Sequence, residues 1–378
     1  MKMVSSYNDA MGHTGSREKS SKDLARRVRE TVRALRSEII AFAQDLIEIP
    51  TENPPGRCYA ECVDLIAKRL TRLGMEPRVI RVPRGGRMDP RSSVIASYGA
   101  GRKKLFFHGH YDVVSGADAS QFAPRVRGGA LFGRGSADMK AGLAAMVYAV
   151  RVLQRLRIEP RGRICLVFVP DEETGGTRGT GYLFDNGHID ARDGVGMIMP
   201  EPTSGTVWNG CRGAVSLLVT IKGRPVHVVR ENKGVNAYEQ MVDLSSALLK
   251  HKRTVERRIT RHPVGPGEAK NSILMLGGLC RCGTNFNVVP GRCVFSIERR
   301  INPEEELASE KRRLLDLLEG FKKRGVKMEI ETIQEGEPSF APRVHPLARS
   351  LNESIHDIEG RRASFNLCTG LLETRFYC

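Results

Sequence analysis

Residues 164–169, Ile-Cys-Leu-Val-Phe-Val, form an apolar run that ends on Pro170-Asp171-Glu172-Glu173. A half-exposed strand would alternate apolar and polar side chains; this run does not, so it reads as a strand buried on both faces. Such a strand needs helices above and below it. Its last residues then open directly onto three consecutive carboxylates, which repel one another and gain nothing from packing at a strand end. Residues 195–199 repeat the pattern, an apolar run followed by Pro200-Glu201-Pro202.

Helical periodicity supplies the covering layers. Val28, Val32, Leu35, Ile39, Phe42 and Leu46 recur at steps of four and three, as do Val63, Ile66, Leu70 and Leu73 before Gly74. A third helix is predicted over 139–156, with Leu143, Met146, Val150 and Leu153 on one face. Short strands are predicted at 79–82, 94–98 and 105–107, and Asn53-Pro54-Pro55-Gly56 is a loop. Helices alternating with buried strands define an α/β domain with a mostly parallel sheet and flanking helices. After about Cys211 the pattern changes. Strands are predicted at 214–221, 272–276, 293–298 and 327–332, interleaved with helices at 235–250 and 304–323. This is a compact α+β domain inserted into the first. The expected organisation is a flexible basic tail (1–22), the first part of the α/β domain (23–210), the insert (211–334) and a segment returning to the α/β domain (335–378).

The formal net charge of +17 admits nucleic acid, membrane or anionic substrate as partner. The positive charge is scattered, and there is no zinc-finger spacing and no basic tail interleaved with aromatics, which argues against nucleic acid. No window approaches 18 apolar residues, so no membrane span is expected. The N-terminus lacks the apolar stretch of a secretory signal, so a cytoplasmic location is expected. The nine cysteines, an odd number, are read as reduced thiols rather than a disulfide framework.

Four stretches carry chemistry. His110 follows the 105–107 strand and precedes Asp112 by two residues, a spacing at which a carboxylate orients a metal-binding imidazole. Asp138 sits in Gly133-Arg-Gly-Ser-Ala-Asp-Met-Lys140 at the start of the third helix, where it is either an N-cap or a carboxylate able to bridge two cations. Glu172 and Glu173 offer one ligand and one base, and Glu201 lies between two prolines. Together they form a mixed His/carboxylate set at the ends of successive strands, suited to zinc, cobalt or manganese. Two such ions can clamp a water and polarise a carbonyl.

In combination these motifs resemble the co-catalytic zinc hydrolases that include succinyl-diaminopimelate desuccinylase, acetylornithine deacetylase, aminoacylase and glutamate-releasing carboxypeptidases. The resemblance covers roughly residues 49–377. It implies a zinc-peptidase-like catalytic domain and two divalent ions, Zn²⁺ first, with Co²⁺ or Mn²⁺ as alternatives. His110 and Glu201 would bind one ion, Glu173 the other, and Asp138 both. Asp112 would support His110, and Glu172 would be the general base. The insert would be a lid and homodimerisation domain. Gly223-Arg-Pro-Val-His227 looks like the lid motif whose His donates to the oxyanion, usually of the partner subunit. Asn287, Arg300 and Arg375 would bind substrate. Glu373 replaces the family's usual Asp. The family's last metal-ligand His follows the Arg375 segment by some tens of residues, and the chain ends at Cys378. His345, placed at the start of a helix, is a poor substitute, so the chain is read as a C-terminally truncated member.

The implied function is hydrolysis of the amide bond of an N-acyl amino acid, of deacetylase or desuccinylase type. The alternatives are a carboxypeptidase or dipeptidase of the same family acting on short peptides, and an inactive metal-binding dimer.

Overall fold

The computed structural model describes residues 8–83 and 91–377, with 8–22 by backbone only. The chain divides into two compact units, Met1–Pro202 with Glu353–Arg362, and Thr203–Asn352 with Ala363–Cys378.

In the first unit α1 (Asn8–Glu48) and α2 (Tyr59–Arg72) precede β1 (Arg78–Arg81), β2 (Ser92–Tyr98) and β3 (Lys104–His110). A short hairpin of β4 (Arg125–Arg127) and β5 (Ala130–Phe132) leads to α3 (Ala141–Arg155). Then come β6 (Arg163–Val169), the one-turn α4 (Tyr182–Asp185) and β7 (Gly194–Ile198). The sheet order is β1-β2-β6-β3-β7. The β1–β2 and β2–β6 pairs are antiparallel, and β6–β3 and β3–β7 are parallel. The sheet is thus mixed, and its parallel half carries the acidic strand ends. Phe42 and Leu46 of α1, Ile66 and Leu70 of α2 and Leu143 and Val147 of α3 pack with Val94, Leu166 and Phe168 of the sheet. Those helical positions are the apolar stripes of the sequence, buried as the two-sided strand requires.

Part of the expected 1–22 tail, residues 1–7, lies outside the described residues; residues 8–22 belong to α1. The third helix starts later than expected. Residues 136–140 form a separate turn in which Asp138 (φ −120°, ψ 102°) and Met139 are non-helical. Asp138 is therefore no N-cap. The strand placed at 105–107 continues through His110, so this histidine is the last residue of β3.

The second unit begins with β8 (Val207–Cys211) and β9 (Gly213–Lys222). It continues through α5 (Ala237–Val255), β10 (Ile273–Cys282), β11 (Arg292–Ile301), α6 (Leu307–Lys323) and β12 (Lys327–Gly336). It closes with β13 (Ser339–Phe340), α7 (Pro346–Glu359, which runs on into the 353–362 segment of the first unit) and β14 (Phe365–Cys368). Strands β10-β11-β9-β12 make an antiparallel sheet whose inner residues Val215, Leu217, Phe295 and Ile297 pack against Leu244 and Leu248 of α5 and Leu314 and Leu318 of α6. A separate sheet joins β13, β8 and β14.

One cysteine expectation is corrected here. Cys282 and Cys293 form a disulfide across β10 and β11. They are 11 residues apart in sequence and directly opposed in the strand register. Only that register brings them together, and residue counting cannot supply it.

Candidate metal centre

The site is built at the carboxyl ends of β3, β6 and β7, the end of an open α/β sheet at which ligands generally bind. His110 is 1% exposed. Its Nδ1 lies 2.9 Å from the Asp112 carbonyl oxygen, which can only accept, so Nδ1 carries a proton. In the neutral ring Nε2 then carries the lone pair. It faces Asp138 Oδ1 at 3.0 Å and Glu201 Oε1 at 3.5 Å. Among the described residues these three side chains form the group whose ligand atoms all lie within 4.8 Å of one another.

Three acceptors aimed at one point are satisfied by a positive species, either a proton on Nε2 or a divalent cation. Burial disfavours a charged His110, but Asp112, Asp138 and Glu201 outweigh it and hold its pKa well above the ordinary value. The donor set is therefore right for a metal: one imidazole nitrogen, two carboxylates, and an open side, since the Asp138 side chain is 52% exposed. Glycines permit the approach. A Cβ on Gly142 would lie 2.6 Å from the Pro200 carbonyl oxygen, so only glycine lets the start of α3 sit against the Glu201 loop.

Asp112 is fully buried. Burial would raise its pKa, but His110, Asn53 and the Glu173 N–H outweigh burial and keep it below the usual carboxylate range. The Glu172 and Glu173 backbone N–H groups donate to its two oxygens at 3.3 and 3.2 Å. Asp112 thus fixes the His110 ring through its carbonyl oxygen and the turn that presents Glu172 and Glu173 through its carboxylate. Glu173 accepts from the Val114 N–H at 3.1 Å and lies outside the three-residue group. Burial, together with Asp138 and Asp112, raises its carboxyl to about 7 against the pull of His110. The first of the three consecutive carboxylates points elsewhere. Asp171 is buried in an ion pair with Arg91, 2.9 Å from Nε, and accepts from Thr174 Oγ1 at 2.7 Å.

Sequence reasoning assigned no role to Lys140 or Asn53. Lys140 is fully buried and donates from Nζ to the Leu46 and Ile49 carbonyls at 2.8 and 2.7 Å. It holds the end of α1 beside the 136–140 turn, and burial pulls its pKa down to about 8. Asn53 donates to Asp112 Oδ2 at 2.8 Å. Neither partner is near in sequence, so periodicity carries no trace of these bonds.

The remaining candidates belong to the second unit. His227 is exposed at the head of a short 3-10 turn, with Nε2 3.4 Å from Asn287 Nδ2. Arg300 is half-buried on β11 and paired with Glu298 at 2.6 Å. Arg375 donates to the Leu372 carbonyl at 2.8 Å and lies over the Phe376 ring, 4.2 Å from its centroid. His345 accepts from the Leu347 N–H at the start of α7, the place in the chain expected of it. Among the described residues no helix is long and apolar enough to cross a membrane.

Fold and site together define a metal-dependent hydrolase. The profile of peptidase family M20/M25/M40 matches residues 106–377, and the chain belongs to that family. The chain is 30% identical over 351 residues to the succinyl-diaminopimelate desuccinylase of Bordetella petrii, covering 90% of this chain and 86% of that one. It is 28% identical over 286 residues to a probable succinyl-diaminopimelate desuccinylase of Staphylococcus epidermidis, covering 70% and 68%. Its fold resembles that of an M20 family metallo-carboxypeptidase from Sulfolobus solfataricus, with a TM-score of 0.75, 16% identity, and coverage of 90% and 88%.

Proposed function

We propose that this chain hydrolyses the amide bond of N-acyl amino acids, in the manner of a deacetylase or desuccinylase. The observation that carries the proposal is the convergence of His110 Nε2, Asp138 and Glu201 beside the Asp112-anchored turn that bears Glu172. His110, Asp138 and Glu201 would hold one divalent ion, and Glu173 with Asp138 the second, Zn²⁺ being the first choice for this donor set and Co²⁺ or Mn²⁺ the alternatives. When bound, the metal supplies polarisation of the amide carbonyl and acidification of water.

The chain's own groups do the rest. Asp112 keeps the His110 proton on Nδ1, so that Nε2 stays a ligand. Glu172 takes the proton of the attacking water and returns it to the departing amine. His227 donates to the developing oxyanion, and Asn287 orients its ring. Arg300 and Arg375 bind the substrate carboxylate, for which a guanidinium offers two parallel donors. The exposed face of the second unit, including Tyr238, Val242 and Leu249 on α5, supports a homodimer.

The metal-loaded protein should release free amine from N-succinyl or N-acetyl amino acids, and the metal-free protein should not. Turnover of dipeptides alone would move the assignment to the peptidases of the family, the reading that the Sulfolobus structural neighbour favours. No turnover of any of these with two ions bound would refute the hydrolase assignment for this chain.

A further inference from the structure

Asn53 lies in the Asn53-Pro54-Pro55-Gly56 loop, far in sequence from every candidate ligand, yet its side chain is 1% exposed and has all its main valences used. Both N–H groups of its amide donate, one to Asp112 Oδ2 at 2.8 Å and one to Thr174 Oγ1 at 3.0 Å. Its Oδ1 lies 3.5 Å from Arg91 Nη2. Thr174 Oγ1 passes its own hydrogen to Asp171 Oδ1, and Asp171 is ion-paired with Arg91. These contacts form a closed ring through three segments: the loop before α2, the residue just before β2 and the turn after β6. The ring also fixes which way the amide points, since a flipped amide would set its carbonyl oxygen against the Asp112 carboxylate.

We infer that Asn53 is a positioning residue for the metal centre, tying Asp112, and through it both His110 and the Glu172–Glu173 turn, to the buried Arg91–Asp171 pair. This rests on the metal-hydrolase reading above. Asp112 is an anion with no exposed surface, and four groups meet its carboxylate: the Glu172 and Glu173 N–H groups and Asn53 donate to it, and His110 Nδ1, whose proton goes to the Asp112 carbonyl oxygen, lies 3.4 Å from Oδ1. The Asn53 bond is the shortest of the four. The others reach Asp112 from the ligand and base segments themselves, so Asn53 alone anchors the carboxylate to a segment outside the reacting set. Without it, a buried carboxylate short of one donor recruits more from His110 and the 172–173 backbone, and both are displaced. The Asn53 backbone strengthens the anchor, because its N–H donates to the Val113 carbonyl at 2.8 Å and so lays the loop alongside the residues that follow His110.

The test is Co²⁺ titration of the metal-free protein by calorimetry, with the visible d–d absorption of bound Co²⁺ as a second readout. Asn53→Ala, which removes the donor, and Asn53→Asp, which faces Asp112 with a second carboxylate, should each weaken Co²⁺ binding roughly 10–100-fold and alter the d–d band. In the metal-saturated enzyme kcat should fall within the same range while KM for an N-acetyl amino acid changes less than about threefold. Thr174→Val, nearly isosteric, should weaken Co²⁺ binding by a smaller factor, and it decides the matter if both Asn53 variants fail to fold. Folded variants with wild-type Co²⁺ affinity and spectrum would overturn the inference. Wild-type protein that takes up no Co²⁺ would overturn the metal-centre reading itself, and the inference with it.

Discussion

The two units each bury a cluster of charges, and the clusters are balanced in different ways. In the second unit Arg299, with no exposed surface, lies 2.6 Å from Glu305 and 2.9 Å from Glu310, and Arg258 meets the same two carboxylates at 2.6 and 2.7 Å. Two guanidiniums are shared between the two glutamates, the half-exposed Arg313 adds a third on Glu310, and Ser272 and the Asn302 N–H both donate to the other oxygen of Glu305. In the first unit a single imidazole faces Asp112, Asp138 and Glu201, with Glu173 close by. The balanced cluster gives each of its carboxylates guanidinium partners and ties the β10–β11 sheet to α6. The unbalanced one gathers carboxylates around one imidazole, and among the described residues no lysine or arginine pairs with Asp138 or Glu201, an arrangement that favours binding a cation.

Breaking the balanced cluster should give the largest effect. Arg299→Met leaves Glu305 and Glu310 short of a partner and should destabilise the protein by about 3–5 kcal/mol, read from denaturant midpoints. Co²⁺ affinity of the protein that remains folded should be unchanged; a matching loss of affinity would dissolve the distinction between the clusters. In the first unit, Glu172→Gln should lower kcat by roughly 10²–10⁴-fold, up to about 5 kcal/mol, with metal content intact. Undiminished turnover would remove Glu172 as the base. Divalent ion at about 100 times its Kd should raise stability by about 2.7 kcal/mol, seen as a shift in melting temperature. Asp138→Asn should abolish that shift.

A pH series sharpens the contrast further. Burial opposes ionisation of Glu305 and Glu310, yet Ser272, Arg258 and Arg299 outweigh it and hold both below the ordinary carboxylate value. Their folded-state pKa is depressed. Their contribution to stability is therefore full above the unfolded carboxylate pKa of about 4.3 and is lost as pH falls through the lower folded value. Melting temperature of the metal-free protein should drop on acidification below about pH 4.5, and Arg299→Met should flatten that drop. The smallest effect belongs to Asp138→Asn without metal. It removes surplus negative charge, so its melting temperature should be no lower than wild type, the opposite sign to Arg299→Met.

Much of this was legible along the chain because it depends on local patterning. The unbroken run before Asp171 marked a buried strand, and apolar faces at steps of three and four marked α1, α2 and α3. The positions of His110, Asp138, Glu172, Glu173 and Glu201 after successive strands marked one end of one sheet. The short elements escaped. The β4–β5 hairpin and the β13-β8-β14 sheet have two to five residues per strand, too few for a period to show. The break at 136–140 escaped as well, since Ser-Ala-Asp-Met-Lys carries no glycine or proline to mark it.

The sequence by itself offered the candidate residues for the chemistry and the order in which they follow one another along the chain. The tertiary structure alone decided which carboxylates work together. Asp171, Glu172 and Glu173 are adjacent in the chain, but Arg91, 80 positions earlier, draws Asp171 inward, while Asp112 takes the backbone of the other two. Asn53, Lys140 and Arg299 act on groups that the folded chain brings near. Hydrogen bonds and ion pairs are set by distance in space, and distance along the chain does not encode it.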